Sequence, residues 1–382
     1  MIYLDNNATT RLAPEALEAM MPFLTDEFGN PSSAHQLGRT GREAVEAARA
    51  SVAELIGASD ADEIVFTSGG TESDNWAILG SLRPGEKRHV ITTAVEHEAV
   101  RKTVDRLEAD GFRVTRLAVD EAGMLDLDEL AKALSPETAI VSIMHANNET
   151  GVLFPIDEAA AIVKERSDAL FHVDGVNAIG KVPVALENTG IDLYSLSAHK
   201  FHGPKGIGAM YVRKGAELRP MFTGGGQEGN RRSGTLAVHQ IAGLGAAARL
   251  VVDTTAMERV RILRDKLEYE ILEKIPNSRL NGTSDRGRRV PNTTNISFEN
   301  TNGEQILARL NDHGIFVSTG SACASADHAA SPVLQAMNVP YSYAMGSIRF
   351  SLGRYTTDAE IETVIGLLPT IVTDLRNLAK FA

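Results

Sequence analysis

Ile64-Val65-Phe66-Thr67-Ser68-Gly69-Gly70-Thr71-Glu72-Ser73-Asp74-Asn75 reads as a short apolar strand, a glycine turn and the start of a helix. Free backbone amides at such a helix N-terminus, with Gly70 in the turn and the Thr71 hydroxyl beside it, make an anion site. The unit does not stand alone. Short β-rich runs at Glu63 to Thr67, His89 to Thr93, Arg113 to Val119, Ala139 to Met144, Leu170 to Val173, Leu193 to Ser195 and Ala209 to Val212 alternate with amphipathic stretches such as Glu98 to Ala109 and Ile156 to Arg166. This alternation predicts an α/β sheet covered by helices. Open sheets of that kind bind ligands at their strand ends.

Beyond Leu236 a long helical stretch runs to about Ile275, followed by a second pattern of strands and helices that closes with a helix from Asp358 to about Lys380. We expect a large α/β unit over residues 15–250 and a smaller α+β unit over 1–14 and 251–382. A chain of 382 residues exceeds one ordinary core, and 43% hydrophobic content with 23% charged residues is that of a soluble globular protein. No run approaches the roughly 20 apolar residues of a membrane span, and no basic region with an apolar stretch follows Met1. The net charge of −12 disfavours a general nucleic-acid surface. A single cysteine rules out an intrachain disulfide framework and fits a reducing cytoplasm.

That cysteine, Cys323, lies in Ser318-Thr319-Gly320-Ser321-Ala322-Cys323-Ala324-Ser325, where every neighbour is small. A structural cysteine is usually set among bulky apolar residues. Cys323 therefore reads as a loop thiol that can be reached, a candidate nucleophile or group carrier. A second centre is Ser197-Ala198-His199-Lys200-Phe201-His202-Gly203-Pro204-Lys205, which follows a strand and enters a glycine-rich loop. Lys200 is a candidate to hold the aldehyde of pyridoxal phosphate. Such enzymes also use a carboxylate at the ring nitrogen and backbone amides and hydroxyls at the phosphate. Asp174, at the end of Phe171-His172-Val173-Asp174, is a candidate for the first; the Gly70–Thr71 turn, Ser197 and His199 are candidates for the second. Taken singly, each has a plainer reading: a surface lysine, a turn aspartate, a core histidine.

Nine motifs in order carry a resemblance: YLDNNATT from Tyr3, FGNPSS from Phe28, VFTSGGTESDN from Val65, EHEAV from Glu96, ANNETG from Ala146, SAHKFHGPKGIG from Ser197, RRSGT from Arg231, GSACAS from Gly320 and IRFSLGR from Ile348. The chain resembles the cysteine desulfurases of the NifS/IscS type, within the class-V aminotransferases and the fold-type I pyridoxal phosphate enzymes. The resemblance implies that Lys200 bears the cofactor and shuttles the substrate's α-proton, while Lys205 is the family's non-catalytic lysine. It further implies that Asp174 keeps the ring nitrogen protonated, that His97 stacks on the ring and assists proton transfer, and that Asn148 touches substrate or the ring oxygen. Arg349 would grip the substrate carboxylate, with Arg354 as the rival candidate. Thr235 would reach the phosphate of a partner subunit, so a homodimer is implied, and Cys323 would carry sulfur from L-cysteine as a persulfide to an acceptor protein such as an iron–sulfur scaffold.

Two departures stand out. Asn177 occupies the place of the family's glutamine, whose amide bonds the ring oxygen, and it is one methylene shorter. The chain also ends at Ala382, without the longer tail with which the IscS branch docks its scaffold. A pyridoxal phosphate aminotransferase, a selenocysteine lyase and a cofactor-bearing binding scaffold are the alternatives. His199 and His202 alone do not make a metal site.

Overall fold

The fold is taken from a computed structural model, which describes residues 1–83, 85–319 and 330–379. Its strands are β1 (Ile2–Tyr3), β2 (Ile64–Thr67), β3 (His89–Thr93), β4 (Arg113–Leu117), β5 (Thr138–Met144), β6 (Leu170–Asp174), β7 (Leu193–Ser197), β8 (Gly208–Val212), β9 (Ser278–Leu280), β10 (Thr293–Phe298), β11 (Ile315–Phe316) and β12 (Ser347–Ser351). The helices are α1 (Pro14–Leu24), α2 (Gln36–Ile56), α3 (Gly70–Gly80), α4 (Glu98–Ala109), α5 (Leu127–Ala133), α6 (Ile156–Arg166), α7 (Val238–Val251), α8 (Thr255–Lys274), α9 (Gly303–Asp312), α10 (Pro332–Ala336), α11 (Tyr341–Ala344) and α12 (Asp358–Ala379).

Seven strands form one sheet in the order β2-β8-β7-β6-β5-β3-β4. The pairs from β7 through β4 are parallel, and only β8 runs against its neighbours. The C-terminal ends of β2, β3, β5, β6 and β7 therefore share one edge. Both faces are buried, because alternate residues feed different cores: Ile64, Phe66, Val141, Ile143, Tyr194 and Leu196 pack with α1, α2 and α7, and Val65, Ile140, Leu193, Met210 and Val212 pack with α3 and α4. This sheet is the predicted α/β core.

A second core gathers Leu4 with side chains of α8, β10, α9, β12 and α12. It is floored by the antiparallel sheet β12-β10-β9, and β1 pairs in parallel with β11. Ala330, Val333, Leu334 and Met337 instead pack into the first core.

Two expectations need correction. The stretch from Leu236 to Ile275 is two helices, because the Asp253 carboxylate accepts from the Thr255 amide and hydroxyl at 2.9 and 3.0 Å and offers the backbone a cap in place of another turn. The run to Val119 is a shorter strand ending at Leu117, since Val119 turns away to bridge Leu125.

Candidate functional site

At the shared edge, β7 ends at Ser197 and a 3₁₀ turn over Ala198–Lys200 lifts Lys200 across the neighbouring strand ends. Its ammonium donates to the carbonyls of Asn7 and Ala8, the latter at 3.2 Å. Burial lowers the Lys200 pKa to about 8, helped by Arg349 and opposed by Asp174 and Asp5. Asp174, the last residue of β6, is 6% exposed, and its Oδ1 accepts from the Val176 amide at 2.9 Å. Among the described residues it has no arginine or lysine in ion-pair contact. Burial raises its pKa, and Asp74 adds to the effect.

His97 caps α4, its Nδ1 accepting from the Ala99 amide at 3.1 Å. The surrounding walls lower its pKa although its outer face is open; the Asp174 carboxylate opposes this. Gly175, next to Asp174, is there for space: a Cβ would fall within the Tyr194 ring. Tyr194 is itself fixed by a 2.8 Å bond between its hydroxyl and His145 Nδ1. We expect Gly175→Ala to destabilise the fold by about 1–3 kcal/mol through overpacking, measured by urea unfolding; an unchanged midpoint would mean that Tyr194 yields freely.

The anion cradle lies at the end of β2. Gly69 has a φ of 149°, no side chain caps α3, and the first amides of that helix are open to a ligand. Gly208 forms the floor, where a Cβ would sit 2.7 Å from the Gly69 Cα. A Cβ on Gly70 would press on Val176 at 2.7 Å. Ser197 is 3% exposed beside Gly69, Thr71 is open to solvent, and His199 Nδ1 lies 3.2 Å from the Thr9 hydroxyl. Burial and Lys200 keep His199 neutral, with a pKa of about 4. The RRSGT run is tied to this cradle by Arg232, whose Nε donates to Glu72 at 2.8 Å. Thr235 itself is exposed.

Arg349 enters from β12. It donates to Asp5 Oδ1 at 2.7 Å and to the Asn148 carbonyl at 3.1 Å, while its Nε is buried without a partner among the described residues. Arg354 lies elsewhere, donating to the Leu250 carbonyl at the end of α7 at 3.0 Å. Lys205 is exposed, and His202 bonds the Arg11 carbonyl and packs edge-on against Tyr355.

Asn177 is held from the protein side. Its amide donates to the Asn147 carbonyl at 3.1 Å and its oxygen accepts from Lys181 at 2.6 Å. One N–H and one lone pair of the carboxamide are thus engaged within the protein. Lys181 sets the contact at the oxygen: it is buried with no acid partner among the described residues and uses neutral acceptors, the other being Asn7 Oδ1 at 3.0 Å. Sequence reasoning gave no role to Asp5, Asn7 or Lys181, although Asp5 and Asn7 stand inside the quoted YLDNNATT run. Cys323 lies outside the described residues. Downstream of it, the Ser331 hydroxyl donates to the buried Glu149 at 2.5 Å.

A buried carboxylate lacking a cation, an uncapped helix end and an amine of lowered pKa thus meet at one edge. That set complements a phosphorylated aromatic aldehyde with a basic ring nitrogen. The family model described as aminotransferase class-V matches residues 2–364. A cysteine desulfurase of Trichormus azollae is 53% identical over 100% of this chain and 95% of its own length. The cysteine desulfurase NifS of Azotobacter vinelandii is 48% identical over 100% of this chain and 94% of its own. Among solved structures, a NifS-like protein superposes with a TM-score of 0.91 at 38% identity, covering 98% of this chain and 100% of that one. A structure described as SspA in complex with cysteine gives 0.82 at 34% identity, covering 94% and 100%.

Proposed function

The chain belongs to the class-V aminotransferase family, and we propose that it is a cysteine desulfurase that takes sulfur from L-cysteine with pyridoxal phosphate as cofactor. The observation that carries this reading is the convergence of Lys200, Asp174 and the open N-terminus of α3 at one sheet edge, with Arg349 reaching in from β12. When bound, pyridoxal phosphate supplies an electron sink for the substrate's Cα.

The chain's own residues do the rest. The amides of Gly70 and Thr71, with Ser197 and His199, would hold the phosphate, and Asp174 would keep the ring nitrogen protonated. His97 would stack on the ring. Asn148 and Arg349 hold the substrate, the guanidinium exchanging its Asp5 contact for the incoming carboxylate. Lys200, whose lowered pKa leaves a useful fraction unprotonated, removes the α-proton and returns one. The Cys323 thiolate attacks the substrate sulfur: an S–S bond forms, the C–S bond breaks, its electron pair stays on the substrate carbon, and protonation there gives L-alanine. Sulfur remains on Cys323 as a persulfide.

With one cysteine in the chain, that sulfur must pass to another molecule. We assign it to an acceptor protein, such as an iron–sulfur scaffold, in a reducing cytoplasm. A homodimer completes the site, with Thr235 of each subunit reaching the other's phosphate. Thr235 is exposed, and Met221 and Phe222 on the same connection are 40% and 43% exposed. No described helix is long and apolar enough to cross a membrane. The deciding assay is release of alanine and sulfide from L-cysteine by the cofactor-loaded protein under reductant. Equal amounts of the two support the reading, and turnover without sulfide would return the chain to the wider aminotransferase class.

A further inference from the structure

Behind Asp174 lies a group of buried side chains for which the reaction has no stated use. Register places Ser142 of β5 beside His172 of β6, and Asp174 beside Ser195 of β7. Paired residues, and residues two apart, face the same side of a sheet, so these four share one face. His172 is fully buried and bonded at both nitrogens, to the Ser142 hydroxyl at 2.9 Å and the Ser195 hydroxyl at 2.9 Å. The Asp74 carboxylate comes down onto this row from α3, beside the Ser195 hydroxyl, with Oδ1 3.5 Å from His172 Nε2 and without a hydrogen-bond partner among the described residues. From the end of β3, Glu96 adds a third buried carboxyl, which accepts from the Thr93 hydroxyl and the Met144 amide and leaves Oε2 unbonded among the described residues.

We propose that Asp74 is a positioning residue for the ring end of the site: by taking up or releasing a proton beside His172 and Ser195, it sets the charge that the cofactor's nitrogen meets at Asp174. This rests on the functional reading above. Such an interior does not hold three negative charges with no arginine or lysine paired to them. The groups facing Asp74 are His172 and Asp174 on β6, Ser195 on β7 and Glu96 after β3, with His97 beyond Asp174. Asp174 is the carboxyl that gains a cation when the ring nitrogen arrives protonated, so the protons are left to Asp74 and Glu96. Burial raises both of those, Asp74 to about 7 and Glu96 to about 8, while the Ser195 hydroxyl favours the charged form of Asp74. Of the two, Asp74 is the one wired to the strand that carries Asp174.

The test is a pH titration of the visible absorption band of the pyridoxal phosphate-loaded protein and its Asp74→Asn variant. The sign follows from Coulomb's law: an ionised Asp74 favours protonation of its surroundings, so an asparagine that cannot ionise should move the band's midpoint down. The expected shift is about one pH unit, the size for charges roughly 10 Å apart in a protein interior. Asp74→Glu should restore the midpoint. Should Asp74→Asn not fold, Ser195→Ala is read instead; it keeps Asp74 neutral to higher pH and moves the midpoint the same way. An unmoved midpoint in a folded, cofactor-bearing variant overturns the proposal alone. A parent protein that takes up no pyridoxal phosphate overturns the functional reading, and this proposal with it.

Discussion

Lys200→Ala is expected to lower L-cysteine turnover by about 10⁴-fold or more, because one amine is asked to do two things. In the proposed mechanism it anchors the cofactor covalently, which fixes orientation, and it carries the α-proton; general base catalysis alone contributes about 10²–10⁴-fold. The variant should still bind pyridoxal phosphate, since the α3 amides and Asp174 are untouched. Borohydride should no longer fix the cofactor to the chain, and a small added amine should restore part of the proton transfer. Retention of more than a tenth of parental turnover would move the role to another lysine, with Lys181 the nearest buried candidate.

Proton affinity at Lys200 gives a second handle on the same residue. Its pKa of about 8 leaves about a tenth of the amine free at pH 7. An ordinary lysine near 10.5 would leave only about three in ten thousand. Because the shift is downward, the free base gains as pH rises toward 8. Cofactor uptake by the apoprotein should climb about tenfold per unit below that point and level off above it. A climb continuing to pH 10 would mean that Lys200 is not desolvated as the geometry requires.

Cys323→Ser is the second large effect. A hydroxyl is neither acidic enough to ionise near neutrality nor strongly attracted to sulfur, so the step that breaks the C–S bond loses its nucleophile. Sulfide and alanine release should fall by about 10³-fold or more. Spectral changes of the bound cofactor on adding L-cysteine should persist, because the proposed mechanism assigns binding and α-proton removal to Arg349 and Lys200. Full turnover in this variant would mean that the thiol plays no part. Loss of the spectral response as well would mean that Cys323 acts in binding.

Much of the sheet was legible before any coordinates. Glu98–Ala109 and Ile156–Arg166 are helices with those limits, and the strand runs appear within a residue or two of their expected ends, apart from the one closing at Leu117. Each is a local pattern, and period and capping are properties of neighbouring residues. The α7–α8 break was missed because Val252-Asp253-Thr254 interrupts a helical pattern without glycine or proline. Only the Asp253 side-chain bonds reveal the cap. The cofactor candidates were named from motifs, yet motifs do not say what a side chain touches. Asn177 illustrates this, since its carboxamide is claimed by Lys181, four residues on, and by Asn147, thirty residues back.

The amino-acid sequence by itself determined the alternation of strands and helices, the order of the nine motifs, and the presence of one thiol, one lysine at a strand end and one acid on a neighbouring strand. Tertiary structure alone decided the charge and the company of these groups. A parallel sheet buried on both faces sets Asp74, Glu96 and Asp174 together although they are far apart in the chain, and removes them from water. The bridge of Asp5 to Ser351 on β12 likewise sets Asp5 against Arg349 across 344 positions. The physical reason is that propensity and pattern act over a few residues, whereas desolvation and Coulomb coupling act through space, and their strength exists only once the chain has closed around the site.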